Sequence, residues 1–286
     1  MKTMKRITLI ISIILMTYQS TLASMLPKND LRVPIRKNSH DEHKFHQLID
    51  QIEKVYTPII NEQRGHFFVT REWENEKVNA AAGRSKDGQF QIKVFGGLYR
   101  YETISDDAFL LILCHEIGHL IGGAPTVKPF NNITSEGQAD YFSTSKCFRR
   151  VVRGENHKQK ANLSLVNPIA KRECLKVYPK NSEGYEICIR VNVANKDMAN
   201  TIEDLNNLKR NTLKIETPDP YERMFIVFNG YPKPQCRLDT LFKGSLCRKN
   251  ENSSLDLQVY NGNNCNVYED QFGLRPLCWY VPRVDQ

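Results

Sequence analysis

Two histidines flank a glutamate in the run His115-Glu116-Ile117-Gly118-His119, and this H-E-x-x-H constrains the fold more than any other feature. On a helix, positions i and i+4 share one face, so both imidazoles can serve a single zinc ion. Glu116 lies about 100° around the helix from His115, where it can hold a water beside the metal without ligating it. Such a helix must be anchored at one end and face a cleft at the other. The flanking residues meet that demand. Ser105 is a good N-cap, Asp106 and Asp107 are acidic in the first turn, and Phe109 to Leu113 is a bulky apolar run. Gly122-Gly123 and Pro125 stop the helix. The pattern predicts a helix over 106–121 with both histidines in its last two turns.

A chemically active zinc needs a third protein ligand and an open fourth position. Glu136, seventeen residues beyond His119, stands in Ser135-Glu136-Gly137-Gln138-Ala139-Asp140. This predicts a second helix, opened by Thr134 or Ser135 and continuing through Tyr141, Phe142 and Cys147. Glu136 and Asp140 are spaced i, i+4, so Glu136 can ligate while Asp140 accepts the free N–H of a metal-bound histidine. The same pair also fits a solvated helix face; its place after an H-E-x-x-H favours the ligand reading.

These residues carry a family resemblance. Val78-Asn79-Ala80, Gln91-Ile92-Lys93-Val94-Phe95-Gly96-Gly97-Leu98, Asp106-Asp107, His115-Glu116-Ile117-Gly118-His119 and Glu136 to Ala139-Asp140 together resemble the gluzincin metallopeptidases, most closely the HtpX-like and soluble periplasmic minigluzincin group. The likeness spans about residues 77–148. It implies His115, His119 and Glu136 as ligands of one Zn2+, Glu116 as the general base and Asp140 as the residue behind a ligand. The His119–Glu136 interval is short for that group, so an inserted subdomain is missing. The family-type His-Pro is also absent, and Tyr231-Pro232 is the nearest equivalent.

Residues 1–24 read as a secretory signal peptide: Lys2, Lys5 and Arg6 precede an apolar core from Ile7 to Met16, and Thr21-Leu22-Ala23 offers a cleavage site. The core is short for a membrane span. The expectation is an exported chain, periplasmic or secreted, without stable membrane insertion after cleavage. Loss of that leader lowers the formal charge from +8 to +5. No arginine-rich helix or basic patch with interleaved aromatics is present, which speaks against nucleic-acid binding. All eight cysteines follow the leader, and an even count in an exported chain favours disulfides. Local spacing favours Cys236–Cys247 and Cys265–Cys278, with Cys114 as a buried free thiol.

The remaining pattern is α+β and, by resemblance, zincin-like. A capping box at Ser39-His40-Asp41-Glu42 opens a helix to about Ile60, with Phe45, Leu48, Ile49, Ile52 and Val55 as its apolar stripe. Strands are predicted over 66–73, 77–81 and 89–95 in a small antiparallel or mixed sheet, with an Asp87-Gly88 turn before the last. Helices follow over 168–178 and 182–208. The division expected is a leader to residue 24, a catalytic domain over 25–231 and a loop-heavy, disulfide-supported extension over 232–286.

His40, His43 and His46 have helical spacing but read as partly exposed side chains, and Trp73 and Trp279 as packing residues. An oxyanion donor is still required, and His157, Tyr231 and Arg237 are the candidates. The function expected is peptide-bond hydrolysis in a protein or peptide substrate, which can pair as an added strand along Val78 to Ala81. The alternatives are a zinc amidase acting on cell-wall peptides and a non-catalytic, envelope-associated binding protein of zincin fold.

Overall fold

The apolar stripes and the turn chemistry resolve into nine α-helices and three strands among the described residues. The computed structural model describes residues 23–35, 41–63, 65–84, 89–127, 133–160 and 162–283. The expected leader up to residue 22, Ser39 and His40 of the capping box, and the Asp87-Gly88 turn lie outside them. In chain order the elements are α1 (Glu42–Glu62), β1 (His66–Glu72), β2 (Ala80–Arg84), β3 (Gln89–Phe95), α2 (Gly96–Tyr99), α3 (Asp106–Ile121) and α4 (Glu136–Phe142). Helix α4 runs through a π turn, Ser143–Cys147, into α5 (Phe148–Val151). There follow α6 (His157–Lys160), α7 (Pro168–Val177), α8 (Glu183–Leu205) and α9 (Pro234–Ser245).

The sheet is mixed, with order β1-β3-β2. β1 runs parallel to β3, with Val69 opposite Ile92, and β2 runs antiparallel to it, with Ala82 opposite Ile92. Alternate burial of Phe90, Ile92 and Val94 turns one face of β3 to the core. β2 starts three residues later than expected, because its register follows β3; residues 77 and 78 pair instead with 31–33, through Val33 N–H to Glu76 O and Val78 N–H to Leu31 O.

Helix α1 is capped by Asp41, whose side chain accepts from His43 N–H at 2.9 Å, and buries Phe45, Leu48, Ile49, Ile52, Tyr56 and Ile60. α3 is buried along nearly its whole length. Its first turn is anchored by Arg190 of α8, which grips Asp107 through two donors at 2.6 and 2.7 Å. Phe109 packs 4.8 Å from the Tyr99 ring and 5.6 Å from that of Phe45. Each such buried aromatic contributes about 1.5–3 kcal/mol through apolar burial. This makes α3 the rigid axis on which the histidines are carried.

All eight cysteines are paired: Cys114–Cys147, Cys174–Cys188, Cys236–Cys278 and Cys247–Cys265. The local pairs Cys236–Cys247 and Cys265–Cys278 are therefore wrong, and Cys114 is no free thiol. The reason is α9, absent from the sequence reading. Eleven residues along a helix span about 16 Å, more than twice the Cα separation a disulfide tolerates. With Cys236 in its first turn and Cys247 just past its end, α9 holds the two apart, and each closes onto the tail. Among the described residues, no helix is long and apolar enough to cross a membrane.

Candidate metal centre

Two helices bring the polar groups together, and two glycines let them meet. A Cβ at Gly118 of α3 would stand 3.0 Å from Ala139 Cα of α4, so the bare backbone allows close approach beside the histidines. A Cβ at Gly137 would collide with the Trp279 indole, which packs over the start of α4. The Cys114–Cys147 disulfide ties α3 to the π turn that continues α4. Ser135 and Thr134, both buried, lead into α4, and Glu136 is its first residue.

His115 and His119 are fully buried, with their Nε2 atoms 2.9 Å apart. Glu136 Oε2 lies 3.2 Å from His115 Nε2, and Oε1 lies 3.6 Å from His119 Nε2. The ring atoms on the far side define the protonation. His119 Nδ1 is 2.8 Å from the Thr134 carbonyl oxygen, which has no proton to give, so Nδ1 is the donor. His115 Nδ1 is 2.8 Å from Asp140 Oδ1. Burial opposes ionisation of the Asp140 carboxyl, but Arg237 and His115 outweigh it and hold the group down at about 2, so an ionised carboxylate faces His115 Nδ1. Both neutral imidazoles would therefore turn an Nε2 lone pair toward the other, beside a carboxylate. Burial lowers the proton affinity of His115, but Asp140 and Glu136 override it and raise the imidazole to about 9. Burial would also raise Glu136, yet His119 and His115 hold it at about 2. The carboxylates of Glu136 and Asp140 favour positive charge on this cluster, as a proton on His115 or as a bound cation. Two imidazole nitrogens and one carboxylate oxygen, all within 4.8 Å of one another, could hold a metal ion, and they are donor types that zinc takes.

Glu116 is equally buried but points elsewhere. Its Oε1 accepts the Met25 backbone N–H at 2.8 Å, and Oε2 has no hydrogen-bond partner among the described residues. Burial raises its pKa, with His119, His115 and the Met25 N–H acting in the opposite sense.

Of the three candidate oxyanion donors, two reach this centre. Arg237, from α9, forks onto Asp140 through Nε at 2.7 Å and Nη2 at 2.8 Å, while Nη1 donates to Met25 O at 2.7 Å. The Tyr231 hydroxyl is 2.5 Å from Ser24 O and 3.3 Å from Leu26 O, and its ring lies under the Arg237 guanidinium. Burial, reinforced by Glu136, raises the Tyr231 pKa, so the hydroxyl keeps its proton. His157 is not brought there. Its ring lies 3.3 Å from Arg190 and 3.6 Å from Glu183. Arg190 in turn is bound to Asp107, about 12 Å of helix rise before His115.

Sequence reasoning missed the Thr134 carbonyl, which as a backbone group leaves no side-chain signal, and the 23–26 segment, whose small and apolar residues resemble any chain start. A second cluster, Asp219 with Cys236 and Cys278, offers no thiolate, because its sulfurs are joined to each other. Comparison of the chain with protein-family models, with curated proteins and with solved structures returns no match.

Proposed function

We propose that this chain is an exported zinc metalloendopeptidase of gluzincin type, hydrolysing peptide bonds in protein or peptide substrates. One observation carries the reading. A cluster able to hold a metal ion, His115, His119 and Glu136, stands beside a buried carboxylate, Glu116, that already holds a backbone amide. A purely structural metal site has no use for that carboxylate.

His115, His119 and Glu136 would hold the zinc. When bound, the metal supplies a Lewis acid that polarises a carbonyl and lowers the pKa of water towards about 7. Glu116 takes a proton from the attacking water and passes it to the leaving nitrogen; burial, which strengthens its hold on a proton, suits it to both transfers. Tyr231 offers a protonated hydroxyl to the carbonyl oxygen as charge develops there. Asp140 fixes the His115 tautomer, and Arg237 fixes Asp140. The edge strand β2 supplies backbone groups for an extended peptide, as Ala82 already does for Ala23. Export is supported by the leader-like start and by four disulfides, which persist in oxidising compartments.

The test compares zinc content and digestion of an unfolded protein for wild type and Glu116→Gln. Wild type should hold one zinc per chain and digest; the variant should keep zinc and lose turnover by about 10²-fold or more. Digestion by the variant at the wild-type rate would place the base elsewhere.

A further inference from the structure

The segment from Ala23 to Leu26 packs against Glu116, Tyr231 and Arg237. Ala23 pairs with Ala82 on the free edge of β2 by two antiparallel hydrogen bonds, Ala23 N–H to Ala82 O at 2.9 Å and Ala82 N–H to Ala23 O at 2.8 Å. From there the segment passes Glu116, Tyr231 and Arg237, each of which hydrogen-bonds its backbone. Ser24 Oγ donates to Asn79 Oδ1 at 2.6 Å, and Met25 and Leu26 are fully buried.

The two ends of one peptide bond meet the two groups that hydrolysis needs. The Ser24 carbonyl oxygen accepts from the Tyr231 hydroxyl at 2.5 Å, and the Met25 nitrogen donates to Glu116 Oε1 at 2.8 Å. The next carbonyl, of Met25, is held by Arg237 at 2.7 Å. Any buried segment must pair its backbone groups; here the partners on the two sides of one peptide bond are the candidate base and the candidate oxyanion donor.

We infer that the Ser24–Met25 bond is a substrate of this site, and that the chain cuts itself there. The inference rests on the peptidase reading above. Water adds to the Ser24 carbonyl carbon, forming a C–O bond. The C–N bond to Met25 breaks, and its electron pair leaves with the Met25 nitrogen. Glu116 takes one water proton and delivers it to that nitrogen. The second follows as the new carboxyl ionises, leaving a carboxylate at Ser24 and an ammonium at Met25. No redox partner is needed. The cut is intramolecular, so its rate does not depend on chain concentration.

The test uses the full chain made by cell-free translation with zinc and oxidised glutathione, where no signal peptidase is present. N-termini are followed by mass spectrometry at two concentrations tenfold apart. The expected result is a product beginning at Met25, formed at the same first-order rate at both. Glu116→Gln, with its zinc content and disulfides verified, should yield none. Tyr231→Phe should yield it about 10²-fold more slowly, the usual effect of losing one oxyanion donor. Wild type that digests added unfolded protein yet leaves Ser24–Met25 intact overturns self-cleavage alone and spares the peptidase reading. Wild type that holds zinc and cuts neither overturns both. A Met25 terminus in Glu116→Gln, or an unchanged rate in Tyr231→Phe, overturns the assignment of this bond to these residues.

Discussion

Arg237 and Asp140, 97 positions apart in the chain, form a two-pronged ion pair in which Nε and Nη2 each reach one carboxylate oxygen, at 2.7 and 2.8 Å. Both side chains are buried. The pair joins α9 to the far side of His115, so a C-terminal helix sets the orientation of a group on α3.

Removing one partner strands a buried charge. Arg237→Ala should cost about 3–5 kcal/mol of stability, and zinc affinity should fall about 10–100-fold as His115 loses its fixed partner. Lysine offers a point charge in place of a fork, so Arg237→Lys should recover only part of either loss. Urea unfolding and zinc competition with a chelator measure both effects. A change under 1 kcal/mol with unaltered affinity would mean Asp140 is held by other means.

His119→Ala should abolish stoichiometric zinc, because two remaining ligands cannot hold a site built for three. Elemental analysis of the purified chain reads this directly. Full occupancy in the variant would refute the ligand set.

The disulfides predict no free thiol in the chain folded under oxidising conditions. Peptide mapping should recover Cys236 linked to Cys278 and Cys247 linked to Cys265. Replacing Cys247 and Cys265 together by serine opens a loop with sequence separation 18 and should cost about 3 kcal/mol in the chain-entropy account. Recovery of a Cys236–Cys247 peptide would contradict α9 as a continuous helix.

Lys146, in the π turn, is buried and donates to Asn250 O at 2.6 Å and Ser253 Oγ at 2.9 Å. Burial, with Arg149 and Arg150 adding repulsion, lowers its pKa from 10.5 to about 7. Between these values the unfolded chain binds a proton that the folded chain does not. Stability therefore rises with pH across that window, by at most about 1.4 kcal/mol per unit. Below about pH 7 both states carry the proton and the gain is absent. Lys146→Met should flatten the slope between pH 7.5 and 9.5 in urea unfolding. Identical slopes in the two proteins would show that the amine titrates normally.

Much of the local structure was legible because local chemistry decides it. Ser105, the acidic first turn and Gly122-Gly123 bound α3 at 106–121, where the structure has it. The spacing of His115, His119, Glu136 and Asp140 fixes which side chains one helix face can present. The strands over 66–72 and 89–95 were equally readable from alternation. By contrast, α9 was hidden in a segment rich in Cys, Gly, Pro and Asn, although Pro234 at its start and the recurrence of Leu238, Leu241 and Phe242 carry a helical period.

Sequence alone determined the residues able to hold a metal and the helix that carries two of them, since i, i+4 geometry follows from backbone dihedrals within one turn. Only the tertiary structure decided the rest: that Arg237 and Tyr231 approach while His157 does not, that Cys114 bonds Cys147, and that Met25 places its amide on Glu116. Those outcomes depend on where rigid helices pack relative to one another. Close packing between segments far apart in the chain is settled by the shapes of whole faces, a property no short window of sequence contains.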